Sequence, residues 1–280
     1  MYNLGLIGFP IKHSLSPWIH GEFLKRANLK GNYLIYEINP EQSFEQEINE
    51  LKDQHVRGFN VTVPYKQTII DYLDELDKEA EKIGAVNTVV NKNGKWVGYN
   101  TDGIGFLRAL KSKFPTRFAN KTKKVLILGA GGAARGIYYA MMLDGFESID
   151  IANRTAKSAH DIAQLKNDQS STAILTLEEA EAKVHTYDVI IQTTSVGMNP
   201  EANQSIIELR DLKDTAIVSD IVYQPIKTKF LTDAEALGAD IHYGHTMLLY
   251  QAQYAFEIWT NKRLKIDDMD EVMKQMLKGR

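Results

Sequence analysis

The chain has 280 residues, of which 44% are hydrophobic and 25% charged, and its formal net charge is -3. These fractions are ordinary for a folded globular protein, and the length favours two domains over one. The small net charge, without a stretch dense in lysine and arginine, argues against binding to nucleic acid or to an anionic membrane. The chain has no cysteine, which excludes disulfides and cysteine-based metal sites.

Targeting and metal signals are weak. The N-terminal sequence MYNLGLIGFP has neither the charged nor the apolar region of a secretory signal, and no stretch approaches the ~18 apolar residues of a membrane span. Only His242 and His245 lie close together among the seven histidines, and no carboxylates of suitable spacing accompany them. We therefore expect a cytoplasmic protein without a metal site.

The first hundred residues alternate between strand and helix patterns. The apolar runs NLGLIGF, YLIYEIN and GFNVTVP are followed by the helical patterns SPWIHGEFLKRANL, SFEQEINELKD and QTIIDYLDEL. Ser16 can cap the first helix, and Pro17 suits its first turn. The runs NTVVN and KWVGYN then flank Asn93-Gly94, a strong hairpin signal. This order predicts a mostly parallel sheet, closed by an antiparallel hairpin, in a domain spanning residues 1–103.

A second series of strands and helices begins with KKVLILGAGGAARGIYYAMMLDG. The runs ESIDIANR, YDVIIQTT, TAIVSDIVY and ADIHYG are the next predicted strands. They predict a Rossmann-like domain over residues 104–245, and we expect the helices of about 246–280 to pack back on the first domain. The predicted fold class is α/β, with two α/β domains.

A glycine-rich turn links the first strand and helix of the second series. Glycines at this place allow a tight turn and let backbone N–H groups approach a pyrophosphate, although such a turn can also be purely structural. The next strand ends in basic and polar residues instead of the acidic residue typical of NAD sites, and an arginine there suits a 2′-phosphate. NADP is therefore favoured over NAD. The predicted cofactor residues are Gly129, Ala130, Gly131, Gly132, Ala133, Asn153, Arg154, Thr155 and Lys157.

Polar residues follow several strands of the first series. Each has an ordinary explanation as a helix cap, a turn residue or a solvated side chain. Because ligands of α/β sheets bind at the carboxyl ends of strands, their joint placement predicts one shared site. A lysine and a carboxylate beside a nicotinamide form a plausible proton-transfer pair for hydride transfer at an alcohol carbon. The polar residues predicted to share this site are Ser14, Ser16, Thr62, Lys66, Asn87, Thr101 and Asp102.

Nine motifs carry a resemblance to a known family. They occur in the order and spacing of shikimate dehydrogenases, and they run from the first strand to the final helices. The chain resembles the single-function, NADP-dependent members of that family, whose activity is the reversible reduction of 3-dehydroshikimate to shikimate in chorismate and aromatic amino-acid biosynthesis. The motifs are GFPIKHSLSP, GFNVTVPYK, GAVNTVV, YNTDGIGF, LGAGGAARG, ANRT, TTSVGM, DIVYQP and QAQYAFEIW.

The resemblance implies roles for individual residues. It places Ser14, Ser16 and Tyr223 at the substrate carboxylate, and Lys66 and Asp102 as the catalytic acid/base pair. It places Thr62, Asn87, Asp102 and Gln251 around the ring hydroxyls. For the cofactor it implies diphosphate contacts at Gly129 to Ala133, adenosine-phosphate contacts at Asn153 to Thr155, and nicotinamide contacts at Ile221 and Gly244.

Two segments depart from the family pattern. The second basic residue common after the Asn-Arg-Thr motif is replaced by Ser158, with the lysine at Lys157. After Gly244 the chain has His245 and Thr246, where a smaller glycine-containing sequence is common, and these residues are expected at the lip of the nicotinamide pocket.

Other functions remain open from the sequence. The nearest is a quinate/shikimate dehydrogenase with relaxed substrate or cofactor choice, and a second is a non-catalytic nucleotide-binding sensor. A hydrolase is disfavoured, because TTSVG at 193–197 lacks the first glycine of a nucleophile elbow. A small-molecule substrate is expected, and the assembly is a monomer or a homodimer.

Overall fold

The structure is a computed structural model that describes residues 1–278. It divides into two compact units, the first made of residues 1–101 and 251–265, and the second of residues 102–250 and the described residues from 266 onward. This division differs from the one expected from the sequence, which placed all of 246–280 on the first domain. The difference has a local cause, since Asp270 near the C-terminus is hydrogen-bonded to His245 of the second unit.

The first unit contains a mixed six-stranded sheet. Its strand order is β2-β1-β3-β5-β6-β4. Strand β1 pairs in parallel with β2 and β3, whereas β3–β5 and β5–β6 are antiparallel and β4 pairs in parallel with β6. The strands are β1 Tyr2–Gly8, β2 Gly31–Glu37, β3 Gly58–Val61, β4 Glu75–Leu76, β5 Thr88–Lys92 and β6 Lys95–Tyr99; the helices are α1 Ser16–Arg26, α2 Phe44–Asp53 and α3 Lys78–Ile83.

One predicted helix of the first unit is absent. The segment QTIIDYLDEL forms a short 3-10 helix over Thr68–Tyr72 and then the edge strand β4. Asp74 directs this change, because its backbone N–H donates to the carbonyl of Trp96 at 2.9 Å and its side chain accepts from the N–H of Trp96 at 2.7 Å. These bonds hold the segment against β6 as a strand.

The second unit contains a fully parallel six-stranded sheet. Its order is β12-β11-β10-β7-β8-β9, which is the strand order of a dinucleotide-binding fold, with the order reversing between β7 and β10. The strands are β7 Lys124–Leu128, β8 Ser148–Ala152, β9 Ile174–Leu175, β10 Val189–Gln192, β11 Ile217–Asp220 and β12 Asp240–His242; the helices that begin in this unit are α4 Asp102–Lys113, α5 Gly132–Leu143, α6 Ala156–Ala163, α7 Leu177–Lys183, α8 Lys229–Ala236, α9 Gly244–Thr260 and α10 Met269–Lys278. The predicted α/β fold class is confirmed.

The parallel sheet is buried on both faces. Along β7, Val125 and Ile127 belong to one apolar cluster, while Leu126 and Leu128 belong to another. Successive side chains of a strand point to opposite faces, so the continuous apolar run VLIL reports a strand covered by helices on both sides. This packing fixes the carboxyl end of β7, where the glycine turn begins.

Candidate active site

The two predicted serines lie between β1 and α1. Ser14 Oγ donates to Ser16 Oγ at 3.1 Å, and the backbone N–H of Ser16 donates to Ser14 Oγ at 3.2 Å. Ser16 is the first residue of α1, and the N-cap position, Leu15, has no side-chain cap bond. The helix-cap interpretation of Ser16 is therefore wrong.

Thr62 and Lys66 lie just beyond the carboxyl end of β3. Both are half-buried, and the N–H of Thr62 donates to the carbonyl of Ile7 at 3.0 Å, next to the end of β1. The carbonyl of Lys66 accepts from the N–H of Val86 at 2.8 Å. This bond ties the lysine's backbone to the residue that precedes Asn87.

Asn87 is the centre of a buried polar cluster in the first unit. Its side-chain oxygen accepts from the backbone N–H of Thr101 at 2.8 Å, and its side-chain nitrogen donates to Thr101 Oγ1 at 3.0 Å and to Gln251 Oε1 at 3.5 Å. All three residues are buried. Three positions far apart in sequence are thus brought together, and the buried Asp102 follows Thr101 directly in the chain.

The glycine turn connects β7 to α5. Gly129 has φ of +108°, and a Cβ there would lie 2.7 Å from Thr193 Oγ1 and from Thr194 Cγ2. At Gly131 and Gly132 a Cβ would meet no atom within 4 Å, so open space lies over the N-terminus of α5. A free helix N-terminus with exposed backbone N–H groups suits a diphosphate. The turn therefore fits a dinucleotide.

The end of β8 presents basic side chains. Asn153 is half-buried and donates from its side chain to the carbonyl of Thr155 at 2.9 Å, which shapes the turn into α6. Arg154, Thr155 and Lys157 are exposed. Since residues 153–157 contain no acidic side chain, this turn suits a 2′-phosphate better than a pair of ribose hydroxyls.

The segment after β11 is held by a buried carboxylate. Asp220 is fully buried and accepts hydrogen bonds from Thr228 Oγ1 at 2.7 Å, from the N–H of Val222 at 2.9 Å and from Gln192 Nε2 at 3.1 Å. Burial raises the pKa of Asp220 to about 6, although these three donors act to lower it. The carboxylate thereby fixes the backbone around Ile221, a predicted nicotinamide contact.

Gly244 lies against the same segment. A Cβ at Gly244 would lie 2.4 Å from the carbonyl oxygen of Ile221, so only glycine allows the start of α9 to approach this strand end. The predicted carboxylate contact Tyr223 is half-buried two residues further along. The second unit thus brings Ile221 and Gly244 together.

The two residues that depart from the family pattern are engaged inside the second unit. His245 is buried, and its Nε2 lies 2.7 Å from Asp270 Oδ1. Thr246 Oγ1 donates to the carbonyl of Tyr243 at 2.7 Å and lies 2.9 Å from Nε2 of the buried His242. Both side chains stabilise the start of α9.

Sequence reasoning missed a second set of polar residues in the first unit. Asn60 of β3 donates from Nδ2 to the carbonyl of Asn87 at 3.1 Å and to Thr88 Oγ1 at 3.0 Å, and its Oδ1 accepts from Tyr33 at 2.8 Å. A signal was present, because Asn60 interrupts the otherwise apolar strand GFNVTV. Its partners come from other strands, so the sequence did not identify them.

The predicted substrate residues are distributed over both units. Seven belong to the first unit and two, Asp102 and Tyr223, to the second. Within residues 1–278, no helix is long and apolar enough to span a bilayer. The same residues contain no group of three histidine, aspartate or glutamate side chains that could hold a metal ion.

Comparisons with known proteins cover almost the whole chain. Three family profiles match it: shikimate dehydrogenase substrate binding domain at residues 6–89, shikimate / quinate 5-dehydrogenase at 109–228, and shikimate 5′-dehydrogenase C-terminal domain at 244–274. A shikimate dehydrogenase (NADP(+)) from Oceanobacillus iheyensis is 53% identical over 278 residues, covering 99% of both chains.

Solved structures agree. Shikimate 5-dehydrogenase from Thermus thermophilus, in complex with NADP(H) and shikimate, is 31% identical with a TM-score of 0.87, covering 98% of this chain and 99% of that one. Quinate dehydrogenase from Corynebacterium glutamicum, in complex with NAD, is 28% identical with a TM-score of 0.89, covering 98% and 99%. The resemblance seen in the sequence is confirmed, and the chain belongs to the shikimate dehydrogenase family.

Proposed function

We propose that this chain catalyses the NADP-dependent, reversible reduction of 3-dehydroshikimate to shikimate, an oxidoreductase step in chorismate and aromatic amino-acid biosynthesis. The observation that carries the proposal is the buried cluster of Asn87, Thr101 and Gln251. In a member of this family, such a cluster provides amide and hydroxyl groups for a polyhydroxy acid. Residues 1–103 are proposed as the substrate domain and residues 104–245 as the NADP domain.

Neutral donors would bind the substrate. Ser14, Ser16 and Tyr223 would donate their hydroxyl protons to the carboxylate. The remaining proposed contacts supply both donors and acceptors, which a ring bearing several hydroxyls requires. These contacts are Thr62, Asn87, Thr101, Asp102 and Gln251.

The residues of the second unit fit NADP. The proposed diphosphate contacts, Gly129 to Ala133, surround the open N-terminus of α5. The proposed adenosine-phosphate contacts, Asn153, Arg154, Thr155 and Lys157, lie at the end of β8, and Ile221 and Gly244 would adjoin the nicotinamide. When bound, NADP would supply or accept the hydride exchanged with C3 of the substrate.

Lys66 and Asp102 would handle the proton. During reduction, the Lys66 ammonium would give a proton to the oxygen on C3 as that carbon gains the hydride, which leaves a neutral amine. In the reverse direction, the amine would remove the hydroxyl proton. Asp102 would accept a hydrogen bond from a substrate hydroxyl and keep Lys66 oriented. General acid–base catalysis of this kind contributes about 10² to 10⁴ in rate.

Hydrogen bonds of the first unit connect the turn that carries Lys66 to Thr101. The carbonyl of Lys66 is bonded to Val86, the next residue is Asn87, and the side chain of Asn87 is bonded to Thr101. Two hydrogen bonds therefore connect the turn that carries Lys66 to the residue that precedes Asp102. Such a short connection favours a reproducible position of Thr101 relative to this turn.

The alternative substrate is quinate, and the alternative cofactor is NAD. The likeness to a quinate dehydrogenase in complex with NAD is the reason to test quinate and NAD as alternatives. The exposed Arg154 favours NADP. Quinate has one more ring hydroxyl than shikimate, and an enzyme can distinguish the two acids only through the shape and the polar groups of its pocket. A non-catalytic sensor is disfavoured, because it would have no need for Lys66 and Asp102.

The deciding experiment follows absorbance of the reduced nicotinamide with shikimate or quinate, each with NADP and with NAD. The highest kcat/KM is expected for shikimate with NADP. A preference for quinate with NAD would select the alternative enzyme, and binding of NADP without turnover of either acid would select the sensor.

The proposal also keeps a cytoplasmic location and a monomer or homodimer as the assembly. Size-exclusion chromatography with light scattering at micromolar concentration distinguishes the two assemblies. Fractionation of cells with an antibody to the chain tests the location, and recovery in the membrane fraction would contradict it.

A further inference from the structure

Thr88 lies at the start of β5, opposite Asn60 of β3. The two residues are partners across these antiparallel strands, so their side chains leave the same face of the sheet. Asn60 Nδ2 donates to Thr88 Oγ1 at 3.0 Å and to the carbonyl of Asn87 at 3.1 Å. The exposed fraction of Thr88 is 0%. Thr88 can therefore act on a ligand only through its neighbours.

The hydroxyl of Thr88 points its proton at the side chain of Asn87. The carbonyl of Asn87 can only accept, which fixes the nitrogen of the Asn60 amide as the atom that faces it and Thr88. Thr88 Oγ1 therefore accepts from Asn60, and its single proton is left for another acceptor. Asn87 Oδ1 lies 3.1 Å from Thr88 Oγ1, whereas Thr101 Oγ1 lies further away at 3.4 Å. Thr88 thus donates to Asn87 Oδ1.

A second donor reaches the same oxygen from another segment. The backbone N–H of Thr101, which follows β6, donates to Asn87 Oδ1 at 2.8 Å. One hydrogen bond would leave the amide plane able to turn about it, but two from different directions fix the plane. The amide nitrogen then faces Thr101 Oγ1 at 3.0 Å and Gln251 Oε1 at 3.5 Å. The oxygen of Asn87 is thus directed at the protein and its nitrogen at two predicted substrate residues.

The contact between Asn87 and Gln251 is the longest of this group. A separation of 3.5 Å is beyond the usual range of an N–H···O hydrogen bond, so a ligand oxygen at about 2.9 Å from the nitrogen would be the better acceptor. A ring hydroxyl supplies such an oxygen. The fixed amide therefore selects for a group that can accept a proton from nitrogen.

We propose that Thr88 is a positioning residue of the substrate site, whose hydroxyl holds the side-chain oxygen of Asn87 so that the amide nitrogen meets the substrate as a donor. This inference rests on the proposed function, in which Asn87 binds a ring hydroxyl. Thr88 acts through Asn87 and does not touch the substrate. The ring hydroxyl accepts with its oxygen, which leaves its own proton for an acceptor such as Gln251 Oε1.

Thr88→Val tests the proposal, with Thr260→Val as the matched control. Valine has a shape similar to that of threonine but lacks the hydroxyl. Thr260 lies in the same unit, and its hydroxyl donates to the carbonyl of Phe256 at 2.6 Å and accepts from the N–H of Lys262 at 3.2 Å. In calorimetric titrations of the full-length protein, Thr88→Val should raise the Kd for shikimate about five-fold, as for one neutral hydrogen bond. The control should change it less than about two-fold, and equal effects of the two substitutions would overturn the proposal.

The role of Asn87 is tested by a double-mutant cycle. In an Asn87→Ala background, Thr88→Val should change the Kd for shikimate by less than about two-fold, since its route of action is gone. In proton–nitrogen correlation spectra of the wild type, the Nδ2 signals of Asn87 should shift when shikimate binds, because this nitrogen donates to the ligand. Full additivity of the two substitutions would overturn the proposal, as would Nδ2 signals that do not move.

A pair of smaller substitutions covers the case in which Thr88→Val does not fold. Thr88→Ser and Thr88→Cys both remove the methyl group and differ from each other only in an oxygen or a sulfur atom. The serine hydroxyl can replace that of threonine, whereas a thiol is a weak donor. The Kd for shikimate should stay within about two-fold of the wild type in Thr88→Ser and rise about three-fold in Thr88→Cys. Equal affinities of these two variants would overturn the proposal.

The failure of this inference can be told apart from the failure of the proposed function. A wild-type protein that neither binds nor turns over shikimate would overturn both. A wild-type protein that binds and turns over shikimate, together with an unchanged Kd in Thr88→Val, would overturn this inference alone.

Discussion

The buried Asp220 should give the second unit a stability that falls as the pH rises. Its pKa is about 6 in the folded protein, compared with an ordinary value of 3.8. Because the folded state binds the proton more tightly, the contribution to stability is full below the unfolded pKa and is lost as the pH rises through the folded pKa. The difference corresponds to about 3 kcal/mol, as an order of magnitude.

Asp220→Asn removes this titration while keeping the shape. The amide oxygen can accept from Val222 and Gln192, and the amide nitrogen can donate to Thr228 Oγ1 in place of the lost acceptor. Urea unfolding of the variant and the wild type would be measured from pH 4 to pH 8. The free energy of unfolding of the variant, relative to the wild type, should increase by up to about 3 kcal/mol between pH 4 and pH 7.

A matched control is Asp188→Asn, in the same unit. Although burial acts to raise the pKa of Asp188, the hydrogen bonds from Lys213 Nζ and from the N–H of Lys124 hold it below the ordinary value. Its contribution is present above the ordinary pKa of 3.8 and is lost only as the pH falls below that value, so the control should be nearly flat over most of this pH range. A flat difference for Asp220→Asn between pH 4 and pH 7 would refute the reasoning.

Three further predictions concern the chemistry and the packing. Lys66→Ala should lower kcat by about 10² to 10⁴ with little change in the dissociation constant for shikimate; near-normal turnover in the absorbance assay would remove Lys66 from the mechanism. Arg154→Ser should weaken NADP binding about 10- to 100-fold but leave NAD binding unchanged, measured by fluorescence titration of the reduced cofactors, and equal losses would contradict a 2′-phosphate contact. Gly103→Ala, whose Cβ would lie 2.0 Å from the carbonyl oxygen of Gly136, should lower the free energy of unfolding by about 1–3 kcal/mol. The matched control is Gly21→Ala, where a Cβ meets no atom within 4 Å; it should raise the free energy of unfolding by about 0.5–1 kcal/mol. Similar effects of the two substitutions in urea unfolding would count against close packing at Gly103.

Local patterns explain why so much of the fold was predictable. The hairpin at Asn93-Gly94 forms as expected, with φ of +55° and +88° at these residues, because few other residue pairs adopt two left-handed conformations in succession. The apolar run VLIL predicted a strand buried on both faces, as β7 is. In such segments the preference of neighbouring residues and the tertiary structure agree.

Prediction failed where a distant partner decides the local structure. Residues 68–76 have a helical pattern, yet the bonds between Asp74 and Trp96 make the end of this segment an edge strand. The competing partner is distant in the sequence, beyond the range of a local pattern.

The sequence by itself determined most of the order of strands and helices, the glycine turn, the basic end of β8 and the polar residues that follow the strands of the first unit. These features depend on residue type and short spacing, which a linear sequence displays. Only the tertiary structure decided which of the polar residues meet. Asn87, Thr101 and Gln251 come together, and Asn60 connects Asn87 to Tyr33 of β2. The physical reason is that a buried polar group must find a partner wherever the packing of strands and helices brings one within reach.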